Sequence, residues 1–357
     1  MALMPVDENT VRTELVKLCR TGVGDDVVDL LGKVPNCQLA ASCMQLDDDG
    51  STALHVAARG GHLRITQELL HRGVEVSLRD AHGRTALHIA CEESHPDVAL
   101  EMIMGRIDVN VQDSLSETAL HKAVLANNGE IVELLLDSGA ADPTLTAGAG
   151  VTPALLAAER GAVGPLQALL SRRPELTDVR NESGWTPLHL AAHGDVHQRK
   201  VTVAKPSKFP GVVKMLVDAK ADLEATDEDT KTPMHRAAAT GNTDIVAALL
   251  QAGASPSAAD ICRWTPLHYA AQDGHLKVAQ LLIDARAAVQ TENPQCLTPL
   301  AIATMENQVK MAELLVSQGA DPNLRGKGLA SPLMIARKDR EKCSDLLALF
   351  ELGFVRH

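Results

Sequence analysis

The residues of this 357-residue chain best suited to bind a metal or move a proton are its fourteen histidines and seven cysteines. Six of the histidines, His55, His88, His121, His189, His235 and His268, share one context, three residues after a threonine. An imidazole in a recurring context could serve as a zinc ligand or as a general base. Zinc ligands must converge at about 2 Å on one ion, and a base needs a nucleophile and an orienting group beside it. The spacing of these six predicts neither arrangement, because each falls in a separate copy of one repeating unit. The cysteines (Cys19, Cys37, Cys43, Cys91, Cys262, Cys296 and Cys343) are odd in number and scattered, with no C-x-x-C pair. That pattern predicts free thiols in a reducing compartment, with no disulfide framework and no zinc site. There is no Gly-rich phosphate loop, no G-x-S-x-G and no H-E-x-x-H, so the expectation is a non-enzyme without catalytic residues, metal or cofactor.

The unit is visible when the threonine contexts are aligned. TALHVAARGGH starts at Thr52, TALHIACEESH at Thr85, TALHKAVLANN at Thr118 and TPALLAAERGA at Thr152. TPLHLAAHGDV starts at Thr186, TPMHRAAATGN at Thr232, TPLHYAAQDGH at Thr265, TPLAIATMENQ at Thr298 and SPLMIARKDRE at Ser331. Successive intervals are 33, 33, 34, 34, 46, 33, 33 and 33 residues.

Each unit carries the signals of two short helices. Thr caps the first helix by accepting from an orphan amide of its first turn. Pro, where present, takes the first helical position, whose N–H needs no partner. His stands where a capping box carries Glu or Gln. Gly61, Gly161, Gly241 and Gly274 predict left-handed stops after this helix. A second helix with paired leucines follows, as at Leu69-Leu70, Leu134-Leu135 and Leu249-Leu250. A polar turn leads to the next unit. The fourth unit departs from the pattern: its approach, TLTAGAGVT, has no Asp, and Leu155 replaces the histidine. A locally weaker layer is expected there.

A period of 33 with T-P-L-H-x-A resembles the ankyrin repeat. The resemblance implies an all-α fold, an ankyrin-repeat solenoid of stacked helix-turn-helix pairs with β-turn fingers. Nine units would span residues 47–350, preceded by a degenerate helical cap and connection over 1–46 and followed by a tail over 351–357. The thirteen extra residues of the fifth unit form an insertion at about 194–210. It carries Arg199, Lys200, Lys205 and Lys208 against a single Asp195. This is either a docking element or a tolerated solvated loop.

The resemblance also implies where a partner would sit, since fingers and first helices line the concave side in ankyrin proteins. The residue before each threonine lies there: Ser51, Arg84, Glu117, Val151, Trp185, Lys231, Trp264, Leu297 and Ala330. Both tryptophans of the chain fall in this column, with Lys231 between them. Ile261, Cys262, Asp273 and Met305 stand nearby, with Glu182 and Glu306. Two readings remain open. Either Trp185, Lys231, Ile261, Trp264, Asp273, Leu297 and Met305 form a partner-binding patch, or each Trp packs locally on its own repeat.

The net charge is −12 and aromatic residues are 2% of the chain. Nucleic acid and anionic membrane are thus disfavoured as partners, and the acidity reflects either a solvated surface or a preference for a basic partner. The start, MALMPVDENTVRTEL, lacks the features of a secretory signal, and no apolar run is long enough for a membrane span. The expectation is a cytoplasmic protein, with nuclear or cytoskeletal association open, folded as a monomeric solenoid. It would bind another protein and no small-molecule substrate. A scaffold or adaptor is the first reading, and a permanent subunit of a cytoskeletal or organellar assembly is the second.

Overall fold

Threonine caps and glycine stops divide the chain into short helices, and a computed structural model places them, describing residues 8–33, 49–194, 209–291, 297–324 and 330–352. Among the described residues there are twenty α-helices and no strand. The chain folds as two units, Met1–Leu176 and Thr177–His357.

In the first unit, α1 (Glu8–Thr21) and α2 (Gly24–Gly32) precede four helix pairs. These are α3 (Ala53–Arg59) with α4 (Leu63–His71), α5 (Ala86–Glu92) with α6 (Pro96–Met104), α7 (Ala119–Leu125) with α8 (Gly129–Asp137), and α9 (Pro153–Arg160) with α10 (Val163–Arg172). First helices stack on first helices and second on second, α3 on α5 on α7 on α9 and α4 on α6 on α8 on α10. The second unit repeats the plan. Its pairs are α11 (Pro187–His193) with α12 (Phe209–Asp218), α13 (Pro233–Thr240) with α14 (Thr243–Gln251), α15 (Pro266–Gln272) with α16 (Leu276–Asp284), α17 (Pro299–Met305) with α18 (Val309–Ser317), and α19 (Pro332–Lys338) with α20 (Ser344–Leu352).

The core of each layer is thin and aliphatic. Alanines of the first helix, such as Ala57, Ala90, Ala123, Ala237 and Ala270, are fully buried, and so are single leucines of the second helix, Leu69, Leu135, Leu249 and Leu282. Small residues on one helix let its neighbours approach, and leucine fills the space that remains. The expected left-handed stops are present, Gly61 at φ 67° and Gly241 at φ 72°. Where the sequence has no glycine, Ser94, Asn127 and Asn307 hold the same positive φ. At the chain ends, Val11, Leu15, Leu346 and Phe350 are buried and Leu18 is half-buried, while Phe354 lies outside the described residues.

The fingers are closed turns. In five of them the amide five residues before the threonine bonds the carbonyl of the residue just before it: Asp80 to Arg84 at 2.9 Å, Asp113 to Glu117 at 2.9 Å, Asn181 to Trp185 at 3.1 Å, Asp227 to Lys231 at 3.0 Å and Asp260 to Trp264 at 2.9 Å. Finger joins finger within a unit, Ser114 N–H to His82 O at 2.9 Å and Ile261 N–H to Asp229 O at 3.1 Å. The irregular finger has the backbone bond from Ala147 to Val151 at 2.8 Å, but no carboxylate to brace it.

Candidate functional site

The six recurring histidines are joints of the scaffold. His55 Nδ1 accepts from Thr52 N–H at 3.2 Å, and its Nε2 lies 2.9 Å from the carbonyl of Arg84 in the next repeat. A carbonyl can only accept, so Nε2 carries the proton and Nδ1 is bare, which is the neutral ring. The same bridge runs from His88 to Glu117 O at 3.1 Å and from His121 to Val151 O at 3.1 Å in the first unit. In the second unit it runs from His189 to Lys231 O at 2.9 Å, His235 to Trp264 O at 3.0 Å and His268 to Leu297 O at 3.2 Å. With both ring nitrogens engaged, the imidazoles act as capping-box partners and layer ties. Burial pushes all six below the usual histidine range, His189 and His268 down to about 4.

The finger carboxylates form a second set of joints. Oδ1 of Asp80, Asp113 and Asp227 each accepts two finger amides at 2.9–3.0 Å. Oδ2 then takes a donor supplied by the same repeat. Arg84 provides it to Asp80 at 2.9 Å, Lys122 to Asp113 at 2.8 Å, Arg236 to Asp227, and the Tyr269 hydroxyl to Asp260 at 2.6 Å. Lys122 also pairs with Glu117 while its side chain is only 7% exposed. Burial opposes both charges, but the hydrogen bonds outweigh it, holding Asp113 below and Lys122 above their ordinary values.

These joints decide the setting of the tryptophans. Of the two readings of the column left open by the sequence, local packing of each Trp describes what the rings touch. The Trp264 carbonyl accepts both the finger bond and the bridge from His235, the Trp185 carbonyl accepts the finger bond from Asn181, and both indoles are half-buried. The Arg236 guanidinium lies over Trp185, 4.1 Å from the ring centroid, while His193 meets the ring edge-on at 5.3 Å. Trp264 packs against Tyr269 at 5.1 Å, and Lys231 Nζ stands 5.6 Å above the tyrosine ring and 3.1 Å from Asp229. The tryptophans therefore rest on first-helix side chains, and the cations beside them are paired internally.

Around this floor the other candidates divide by exposure. Ile261 at a finger is 66% exposed and Met305 at the end of α17 is 50% exposed. Asp273 and Cys262 are exposed, while Leu297 is half-buried with its carbonyl bound to His268. Arg199, Lys200, Lys205 and Lys208 lie outside the described residues. No group of three or more metal-binding side chains occurs among the described residues.

Sequence reasoning missed a second histidine column, ten residues after the threonine. His62, His95 and His275 each cover a glycine of the preceding repeat or helix pair, Gly22, Gly61 and Gly241. His95 Nε2 reaches Arg59 O at 3.2 Å, and His275 Nε2 reaches Ala239 O at 3.2 Å. The signal was the G-H pair itself, in GGH and DGH.

Comparison with known proteins agrees with the geometry. The family model of ankyrin repeats in three copies matches residues 15–113, 82–147, 100–178, 120–205, 155–260, 201–293 and 256–326. The chain is an ankyrin-repeat protein. It is 36% identical over 113 residues to neurogenic locus notch homolog protein 1 of Xenopus laevis, covering 32% of this chain and 4% of that protein. It is also 36% identical over 91 residues to protein fem-1 homolog A of Danio rerio, covering 24% and 14%. Neurogenic locus notch homolog protein 2 of Homo sapiens is 31% identical over 118 residues, 33% and 4%. The chain thus spans a small fraction of the curated relatives it matches. Ankyrin repeats are protein–protein interaction modules and are generally non-catalytic. Among the described residues no helix is long and apolar enough to cross a membrane.

Proposed function

We propose that this ankyrin-repeat protein is a scaffold or adaptor that captures another protein on the finger and first-helix side of the unit Thr177–His357. One observation carries the reading: both tryptophans and the single tyrosine of the chain lie on this side, with Ile261 and Met305 exposed beside them. Half-buried rings held by their neighbours offer contact area with little entropy left to lose on binding. The site is Trp185, Lys231, Ile261, Trp264, Asp273, Leu297 and Met305. The protein acts as a monomer in the cytoplasm, and any chemistry belongs to its partner.

The test is the double variant Trp185→Ala/Trp264→Ala. Helical circular dichroism is expected to persist while recovery of cross-linked partners from cell extract falls at least tenfold, about 1.4 kcal/mol. Unchanged recovery refutes the site. Sedimentation of the native material separates a soluble adaptor from a permanent subunit of a large, salt-resistant particle.

A further inference from the structure

The charges that edge this face point to the chemistry of its partner, an inference that rests on the capture reading above. Within the unit Thr177–His357, Lys231 is neutralised by Asp229 and Arg236 by Asp227. The acids at the edges are not answered in this way. Glu182 and Glu228 stand exposed on the fingers, and Asp273 and Glu306 stand exposed at the ends of α15 and α17. Among the described residues none of the four has an ion-pair partner. Among the described residues, against them stand Arg263, exposed on the finger of Ile261, and Arg180, whose guanidinium is turned to the carbonyls of Gly184 and Thr226. Each acidic edge also carries an exposed apolar residue, Ile261 on a finger and Met305 at the end of α17, and the half-buried rings of Trp185, Trp264 and Tyr269 add further apolar surface. The described face thus combines apolar residues with unpaired acids on the fingers and at the first-helix ends. A neutral or acidic partner would leave these four carboxylates facing no cation, whereas a basic one pairs with them at a surface already net negative.

We infer that the face takes a segment of a partner protein that combines leucine-like apolar residues with lysines or arginines. Successive layers lie 8–10 Å apart and a helix rises 1.5 Å per residue. An 18-residue helix, about 27 Å long, therefore spans the three layer spacings from Trp185 to Met305.

The two tryptophans are the only ones in the chain, so intrinsic fluorescence reports occupancy of this face without a label. The probes are an 18-residue amphipathic helix of Leu and Lys and a sibling with Glu in place of Lys, titrated into the full chain. The Leu/Lys peptide is expected to shift the emission and to weaken as salt rises, because exposed pairs are screened within about 10 Å at 0.1 M. The Leu/Glu sibling is expected to bind at least tenfold more weakly. The edge variant Glu182→Gln/Glu228→Gln/Asp273→Asn/Glu306→Gln should lose about tenfold for the basic peptide. A control with the same charge change on the exposed second-helix surface, Asp218→Asn/Asp244→Asn/Asp284→Asn/Glu313→Gln, should retain its affinity. Equal weakening in the control, no effect of the edge variant, or equal binding of the acidic sibling overturns the inference. If the edge variant binds partners normally while Trp185→Ala/Trp264→Ala does not, the basic chemistry is wrong and the capture reading stands.

Discussion

Mild acid should loosen this protein through its buried histidines, before the depressed finger carboxylates of Asp80 and Asp113 titrate. His189 and His268 have ordinary values of 6.5 and are depressed by burial to about 4 in the folded chain. In the fold their Nδ1 atoms accept from Thr186 N–H at 3.2 Å and Thr265 N–H at 3.1 Å, so a proton there meets a donor and breaks the cap. The unfolded chain binds protons near pH 6.5 and the folded chain resists them until about pH 4. The stability these rings contribute is therefore complete above pH 6.5, declines as pH falls between those values, and loses nothing further below about pH 4. Between pH 5 and 6 the unfolded state holds almost one extra proton per ring, a slope of about 1.2 kcal/mol per pH unit for each. At pH 5 the loss is about 2 kcal/mol per ring, or about 4 kcal/mol for the two. His55, His88, His121 and His235 shift in the same direction and add to it. Asp80 and Asp113 are depressed below the carboxylate range, so their contribution is lost only at lower pH. Urea denaturation followed by circular dichroism from pH 7.5 to 4.5 measures the slope. His189→Gln/His268→Gln keeps a capping-box residue that does not titrate, and should flatten the slope by about 2 kcal/mol per pH unit near pH 5.5. A midpoint that stays level between pH 7 and 5, or an unaltered slope in the variant, would refute the bridge as described.

Three further substitutions or measurements probe other joints. Lys122→Met should cost about 3 kcal/mol, because it strands the buried Asp113 carboxylate and Glu117, read as a lowered urea midpoint; a loss under 1 kcal/mol would contradict a buried ion triad. Gly241→Ala should cost about 2 kcal/mol, since it needs a positive φ and its Cβ would fall 2.6 Å from His275 Nδ1. Adding His275→Ala should recover part of that loss, and no recovery would remove the stacked-ring explanation. Amides of residues 147–160, where the finger lacks its carboxylate and Leu155 replaces the bridging ring, should exchange hydrogen faster than the matching amides of 113–126. Equal protection would show that the backbone bond alone suffices.

What the sequence determined by itself was everything that repeats locally. The 33-residue period, the threonine caps, the glycine stops and the paired leucines all depend on neighbours within one turn or one helix, and the sequence displays those neighbours directly. One imidazole at the same place in each of six repeats also argued against a shared metal. The tertiary structure decided what crosses from one layer to the next. That Nε2 of His235 ends on the Trp264 carbonyl, that Arg236 covers Trp185, and that His275 seats on Gly241 depend on how far one repeat is advanced over its neighbour. Stacking sets that offset through the shapes of alanine and leucine in the thin core, so the partners lie 29 to 51 positions apart in sequence. The tryptophans illustrate the difference. Their shared column was legible in the chain, but the first-helix side chains that hold them became visible only once the layers were stacked.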